Sequence, residues 1–456
     1  NRGVPCKAAA EREAVMRYLT KEEESQYSGR INMSLAEPWP AWLTLPVFVL
    51  PALVLIMPLR FLFAKLFPAA FEWKCSSCGT FINAAASHCP TCGAPLRKGL
   101  APERSFSQCL FAAQHEDRDA QYHMGMAYQF GTPPNYAKAF DWYSKAADQI
   151  HAGAQIRLGL MYQQGLGVPQ DYGEALRWYR LAAEQGYSVA QYYLGLLYLD
   201  GQGVTQDLNE ALRWLWKSAE QGFASAQDEL GRAYSQGAGV PLDYGEAMRW
   251  FRLAAEQGHA PSQNRLGVIY DEGRCGTPDY GEALRWYTKA AEQGDAAAQH
   301  NLAYLYVNGE GVKRDYGEAV RWLRKSAEQG FAAAQDKLGL LYLQGLGLTK
   351  DYSEALRWLR PAAEHGIADA QNRLGAMYDR GLAVAQDSAE AARWYRTAAE
   401  QGHPAAQSNL AFLYWQGRGV ALGHDEALKW FRIGAEQGDP MVQHNLAQFY
   451  EDQKQD

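Results

Sequence analysis

The feature that most constrains this chain is a period. Trp142, Trp178, Trp214, Trp250, Trp286, Trp322, Trp358, Trp394 and Trp430 each stand 36 residues from the next. Tyr162, Tyr198, Tyr234, Tyr270, Tyr306, Tyr342, Tyr378, Tyr414 and Tyr450 keep the same beat. A fixed period of about 20–50 residues is the mark of a solenoid, in which each unit buries its apolar face only by stacking on its neighbours. Most of the 456 residues therefore belong to one quasi-linear array, not to several separate cores.

One unit, residues 152–187, shows how the repeat is built. AGAQIRLGLMYQQ carries apolar or small residues at helical spacing, with Leu158, Gly159 and Tyr162 on one side. It stops at Gly165-Leu166-Gly167-Val168, where glycine supplies positive φ. Asp171 caps a second helix and Glu174 sits three residues on, the arrangement of a capping box, worth about 1 kcal/mol. The pair recurs at Asp207/Glu210, Asp243/Glu246, Asp279/Glu282, Asp315/Glu318, Asp351/Glu354 and Asp387/Glu390. The second helix runs through Ala175, Trp178, Tyr179 and Ala182 to Gly186, and small residues at the register of Ala182 permit close helix approach.

The pattern A-Q-x-x-L-G-x-x-Y-x-x-G-x-G-V-x-x-D-Y-x-E-A-x-x-W, closed by AAEQG, resembles the Sel1-like repeat family, a relative of tetratricopeptide repeats. The resemblance covers 119–456. It implies an all-α fold: a right-handed superhelical solenoid of about nine antiparallel helix pairs, with Met441–Tyr450 as a closing helix. The ends depart from the pattern. Asn135 and Lys138 replace the Asp/Glu pair in the first copy, and Gly423 replaces the capping Asp in the ninth. Identity of the Trp in every copy points to packing between helices, and the Arg just before it (Arg177, Arg213, Arg249 and onward) pairs with the helix-start Glu.

If repeat-identical residues build the scaffold, recognition belongs to positions that vary between copies. By resemblance to tetratricopeptide arrays these line a concave groove. In the second repeat they are Ile156, Arg157, Leu160 and Gln163. The third offers Tyr192, Tyr193, Leu196 and Leu199, the fourth Asp228, Glu229 and Arg232, and the ninth Asn409, Phe412 and Trp415. Trp216 and Trp415 are the array tryptophans outside the periodic column. Because aromatic anchors dominate interface energetics, the candidate partner-binding residues are Tyr192, Tyr193, Leu196, Trp216, Arg232, Phe412 and Trp415. The competing reading is local variation in packing.

Ahead of the array the chain changes character. Residues 1–37 are polar and mixed in charge, with Met33 a credible initiator. Within 38–71, Trp39 to Leu59 holds no charged residue, enough to cross a hydrocarbon core about 30 Å thick as a helix, although Pro46 and Pro51 each remove a donor. Arg60, Lys65 and Lys74 follow it, which by the positive-inside rule predicts a single-pass protein of the bacterial inner membrane with its repeats in the cytoplasm. Cys75-Ser-Ser-Cys78 and Cys89-Pro-Thr-Cys92 then place four thiolates at the spacing of a tetrahedral site, so 72–98 reads as a small four-cysteine zinc ribbon holding structural Zn2+, with iron or redox CxxC pairs as alternatives. A linker spans 99–118. Cys6, Cys109 and Cys275 show no disulfide framework, which suits a reducing compartment.

There is no HExxH, no phosphate-cradling GxxxxGK[ST] and no GxSxG elbow, and the paired Asp/Glu already serve as caps. A net charge of −7 argues against a nucleic-acid partner, and nothing points to a small-molecule substrate. The expectation is a membrane-anchored, non-enzymatic scaffold or adaptor that binds a protein or peptide partner. An exported envelope protein engaged in surface assembly or host contact is the alternative, and an enzyme a third class.

Overall fold

The computed structural model of the chain describes residues 72–74, 81–83 and 106–452. Two short strands, Glu72–Lys74 and Phe81–Asn83, pair antiparallel with Trp73 opposite Ile82. The motif Cys75-Ser-Ser-Cys78 falls between them in sequence. Cys75, Cys78, Cys89 and Cys92 lie outside the described residues, as do the polar segment 1–37 and the apolar segment 38–71.

The stretch expected as a linker carries a helix, Phe106–Gln114, and the array follows. Its nine helix pairs are Arg118–Gln129 with Tyr136–Asp148, Ala152–Gln164 with Tyr172–Glu184, Ser188–Asp200 with Leu208–Glu220, Ala224–Gln236 with Tyr244–Glu256, Ala260–Glu272 with Tyr280–Glu292, Ala296–Asn308 with Tyr316–Glu328, Ala332–Gln344 with Tyr352–Glu364, Ala368–Arg380 with Ser388–Glu400, and Pro404–Gln416 with His424–Glu436. Pro440–Asp452 closes the array. These are repeats one to nine, each with a first and a second helix.

The expected placement in a bacterial inner membrane is corrected here. Among the described residues, no helix is long and apolar enough to cross a membrane. A 13-residue helix such as Ala152–Gln164 rises only about 20 Å, against a hydrocarbon core of about 30 Å. Its apolar residues serve helix packing instead.

The caps form as the sequence predicts, with one difference. Asp171 Oδ1 accepts from the backbone N–H groups of Gly173 and Glu174 at 2.8 and 3.0 Å. The Asp171 N–H is already donated to the Tyr162 carbonyl at 2.9 Å, so Glu174 has no backbone donor to reach back to. It takes Arg177 instead, at 3.1 Å on an exposed face, and this half-box recurs through Glu390 and Arg393. From repeat two onward, first helices end on a left-handed glycine, as at Gly165 with φ 69°, whereas the first helix of repeat one ends on Phe130 with φ −104°. The second glycine of the loop serves proximity as well: a Cβ on Gly203 would sit 2.4 Å from the Tyr172 carbonyl carbon of the preceding repeat.

The core follows from these approaches. Tyr143, Tyr179, Leu215, Phe251, Tyr287, Leu323, Leu359, Tyr395 and Phe431 occupy one buried register, directly after the periodic Trp. A Cβ on Gly159 would lie 2.5 Å from the Tyr179 ring, so glycine there lets the two helices of a repeat meet. The Trp packs between repeats, as Trp214 does against the cluster of Tyr179, Leu194 and Leu197. A buried glutamine in each first helix ties the junction. Gln191 donates to the Ala183 carbonyl of the preceding repeat at 3.2 Å and accepts from Gln221 at 2.7 Å.

Candidate partner-binding face

The two residues after that glutamine form rungs between successive first helices. The residue one place on in one repeat meets the residue two places on in the next, 37 positions later. Asp228 accepts from Arg265 Nη1 at both carboxylate oxygens, at 2.9 and 2.8 Å. Asn301 Nδ2 donates to Asn264 Oδ1 at 3.0 Å, Asn409 Nδ2 to Asn372 Oδ1 at 2.9 Å, and Asn445 Nδ2 to Ser408 Oγ at 2.8 Å. Asp336 accepts from Arg373, which also holds Asp369 at 3.0 Å. Positions that vary in sequence are thus partly spent on pairing each repeat with its neighbour.

Two buried aspartates at one register show how the surroundings decide charge. Burial pushes the Asp228 carboxyl up, but Arg265, His259 and the Ser262 hydroxyl at 2.5 Å hold it below the usual carboxylate range. Asp336 has Ala370 where Asp228 has Ser262, and Asp369 adds like charge, so burial wins and its carboxyl is pushed up. His300 meets Lys337 where other rungs meet a complementary group. Burial lowers the imidazole to about 4, with the Asn301 side chain opposing the shift and Lys337 adding to it.

The sequence candidates do not form one site. Tyr192, Tyr193 and Leu196 share the first helix of repeat three and are half-buried. Tyr193 stacks on Tyr179 at 5.2 Å, and Tyr192 meets Phe223 edge-on at 5.1 Å. Arg232, one repeat on, is held by Glu229 at 3.1 Å. Trp216 stands on a second helix, at the register where Arg180 and Arg252 donate to Tyr198 and Tyr270. It packs edge-on against Trp250 at 4.9 Å. Phe412 and Trp415 come together in repeat nine, 5.8 Å apart, against Phe431 and Phe449.

Between the rungs runs a column that sequence reading grasped only in part: Leu160, Leu196, Arg232, Val268, Tyr304, Leu340, Ala376 and Phe412. None is buried, and Tyr304 is 40% exposed. Tyr304 and Leu340 were legible in principle, since they lie three and four periods beyond Leu196.

Comparison with known proteins bears on this face. The family model described as Sel1 repeat matches nine consecutive stretches: 118–151, 152–187, 188–223, 224–259, 260–295, 296–331, 332–367, 368–403 and 404–439. A protective antigen present in uropathogenic Escherichia coli strains, displaying an SLR fold, is similar at 35% identity over 76% of this chain and 83% of that one, with a TM-score of 0.58. A Sel1 repeat protein from Oxalobacter formigenes is similar at 31% identity over 78% of this chain and 97% of that one, with a TM-score of 0.52. No curated protein matches.

Proposed function

The chain belongs to the Sel1 repeat family, and on that premise we propose that its array is a scaffold whose first-helix face receives a protein or peptide segment. One observation carries this reading. The column from Leu160 to Phe412 keeps one register, stays partly open from repeat two to repeat nine, and carries six residue types over those eight copies, with leucine at three of them. Scaffold registers do the opposite: the buried glutamine, the Trp and the capping Asp recur and are engaged. A surface that is constant in spacing and varied in chemistry suits an extended ligand read repeat by repeat. Enzyme activity forms no part of the reading.

Proximity labelling from the native chain and from a Tyr304→Ala, Leu340→Ala double variant tests it. These side chains are partly open, so the fold and thermal midpoint should hold while the captured set shrinks. An unchanged captured set would rule the face out.

The likeness to a protective antigen favours a second reading, an exported protein in contact with a host. A C-terminal reporter fusion active only outside the cytoplasm supports it, and activity only inside rejects it.

We propose further that 72–98 is a structural zinc ribbon held by Cys75, Cys78, Cys89 and Cys92. Support comes from the backbone hairpin of Glu72–Lys74 and Phe81–Asn83, which brackets the first CxxC as a zinc knuckle requires. Four thiolates leave no open coordination position, so the ion would supply folding energy only. Metal analysis should find one zinc per chain, lost in a Cys75→Ser, Cys92→Ser variant; a metal-free native chain would reject the proposal.

A further inference from the structure

Three arginines share one register of the first helices, two residues after the buried glutamine: Arg157, Arg265 and Arg373. Arg265 is neutralised by Asp228, and Arg373 by Asp336 and Asp369. Arg157 faces the preceding repeat in the same way, but the rung residue there is Tyr122, whose hydroxyl accepts its hydrogen bond. Among the described residues no carboxylate pairs with Arg157. Burial works against its charge, and the groups nearest it, the phenols of Tyr122, Tyr143 and Tyr193, offer hydroxyl dipoles but no anion at neutral pH.

The surroundings of this guanidinium are aromatic. Its Cζ lies 5.3 Å from the centre of the Phe130 ring. Tyr193, at the same register one repeat on, is held rigid by stacking on Tyr179 at 5.2 Å and interacts electrostatically with Arg157. A guanidinium carries five donors in a planar fork that matches a carboxylate, and phenol oxygens satisfy only part of it. A half-buried charge with no counter-charge is costly, and an arriving anion removes the cost.

We propose that Arg157, walled by Phe130 and Tyr193, is a carboxylate subsite on the first-helix face that takes an acidic side chain of an extended partner segment. The proposal rests on the reading of that face as the binding face. It extends that reading by naming the chemistry: the missing third member of the series Asp228, Asp336 comes from the partner. Leu160 and Leu196, half-open in adjacent repeats, offer apolar contact beside it.

The test pans a phage-displayed random nonapeptide library on the full chain and synthesises the selected peptides with capped ends. They should share an acidic position, and replacing that acid by its amide should weaken binding about tenfold on the native chain. On Arg157→Gln the same replacement should change binding less than about twofold. Arg157→Lys, which keeps the charge and loses the fork, should fall between and serves if the glutamine variant misfolds. A library without binders, binders without a shared acid, an equal loss on native and variant chains, or dependence on a free C-terminus instead of a side chain each overturns the subsite. Binders that need no acid but are lost on Tyr304→Ala would sink the subsite and keep the scaffold reading.

Discussion

Gln335 Oε1 is buried without a hydrogen-bond partner, and the residue 30 positions on, which elsewhere supplies one, is His365. Gln185, Gln221, Gln257, Gln293 and Gln401 each donate to the glutamine 30 places earlier, at 2.7 Å. The His365 ring instead lies 2.7 Å from its own helix's Pro361 carbonyl. Restoring the bond with His365→Gln should stabilise the array by about 1 kcal/mol, seen as a higher urea midpoint. A midpoint that stays or falls would show that the orphaned acceptor costs nothing.

Ala383 holds φ 58° at the register where Gly167, Gly203 and Gly239 hold positive φ. An alanine in the left-handed region is strained by about 1–2 kcal/mol, part of which glycine's greater freedom in the unfolded chain takes back. Ala383→Gly should therefore gain about 0.5–1 kcal/mol in thermal melts. Loss of stability in that variant would place the strain elsewhere.

Removing Arg265 should be severe, because Asp228 is buried and its charge would keep only His259, the Ser262 hydroxyl and the weaker influence of Arg232. Arg265→Ala should cost about 3 kcal/mol or more. Asp228→Asn with Arg265→Asn copies the neutral rung that Asn264 and Asn301 already form, and should recover most of that loss. Equal destabilisation of the single and double variants would mean that the ion pair does not govern the rung.

His300 makes stability depend on pH. Its imidazole titrates at about 4 in the folded chain against about 6.5 when unfolded. Between these values the unfolded chain binds a proton that the folded chain refuses, so stability falls as pH drops from 6.5 to 4, by up to about 3 kcal/mol. His300→Asn should flatten that part of the curve. The quantity to measure is the difference between native and variant midpoints across the window, since Asp336 and Glu229 titrate in both; a difference independent of pH would refute the assignment.

The array was legible because its signals are local and repeated. Caps at Asp171 and its equivalents, left-handed glycines and the 3.6-residue spacing all act within one helix or loop, so sequence alone locates them. The rungs were not legible. They join positions 37 apart, and Asp228 reads as an exposed recognition residue until its meeting with Arg265 is seen. Glu174 departs from expectation for a related reason: the backbone donor it was expected to accept from had already gone to Tyr162, a residue of the preceding helix. Trp216 looks like an anchor because it breaks the Trp column, whereas it fills the register of Arg180 and packs on Trp250. The membrane placement rested on a stretch outside the described residues and failed on the helices that are described.

The rungs carry a longer rhythm than the repeat. Asp–Arg joins repeats four to five and seven to eight, and Asn–Asn joins five to six and eight to nine. Excising residues 260–367 would set Asp228 against Arg373, like for like, and the shortened chain would close on a matched ion pair. Excising 260–295 alone would set the same buried carboxylate against Asn301. The unit by which this protein can safely shrink is therefore three repeats, although the unit in which it is written is one.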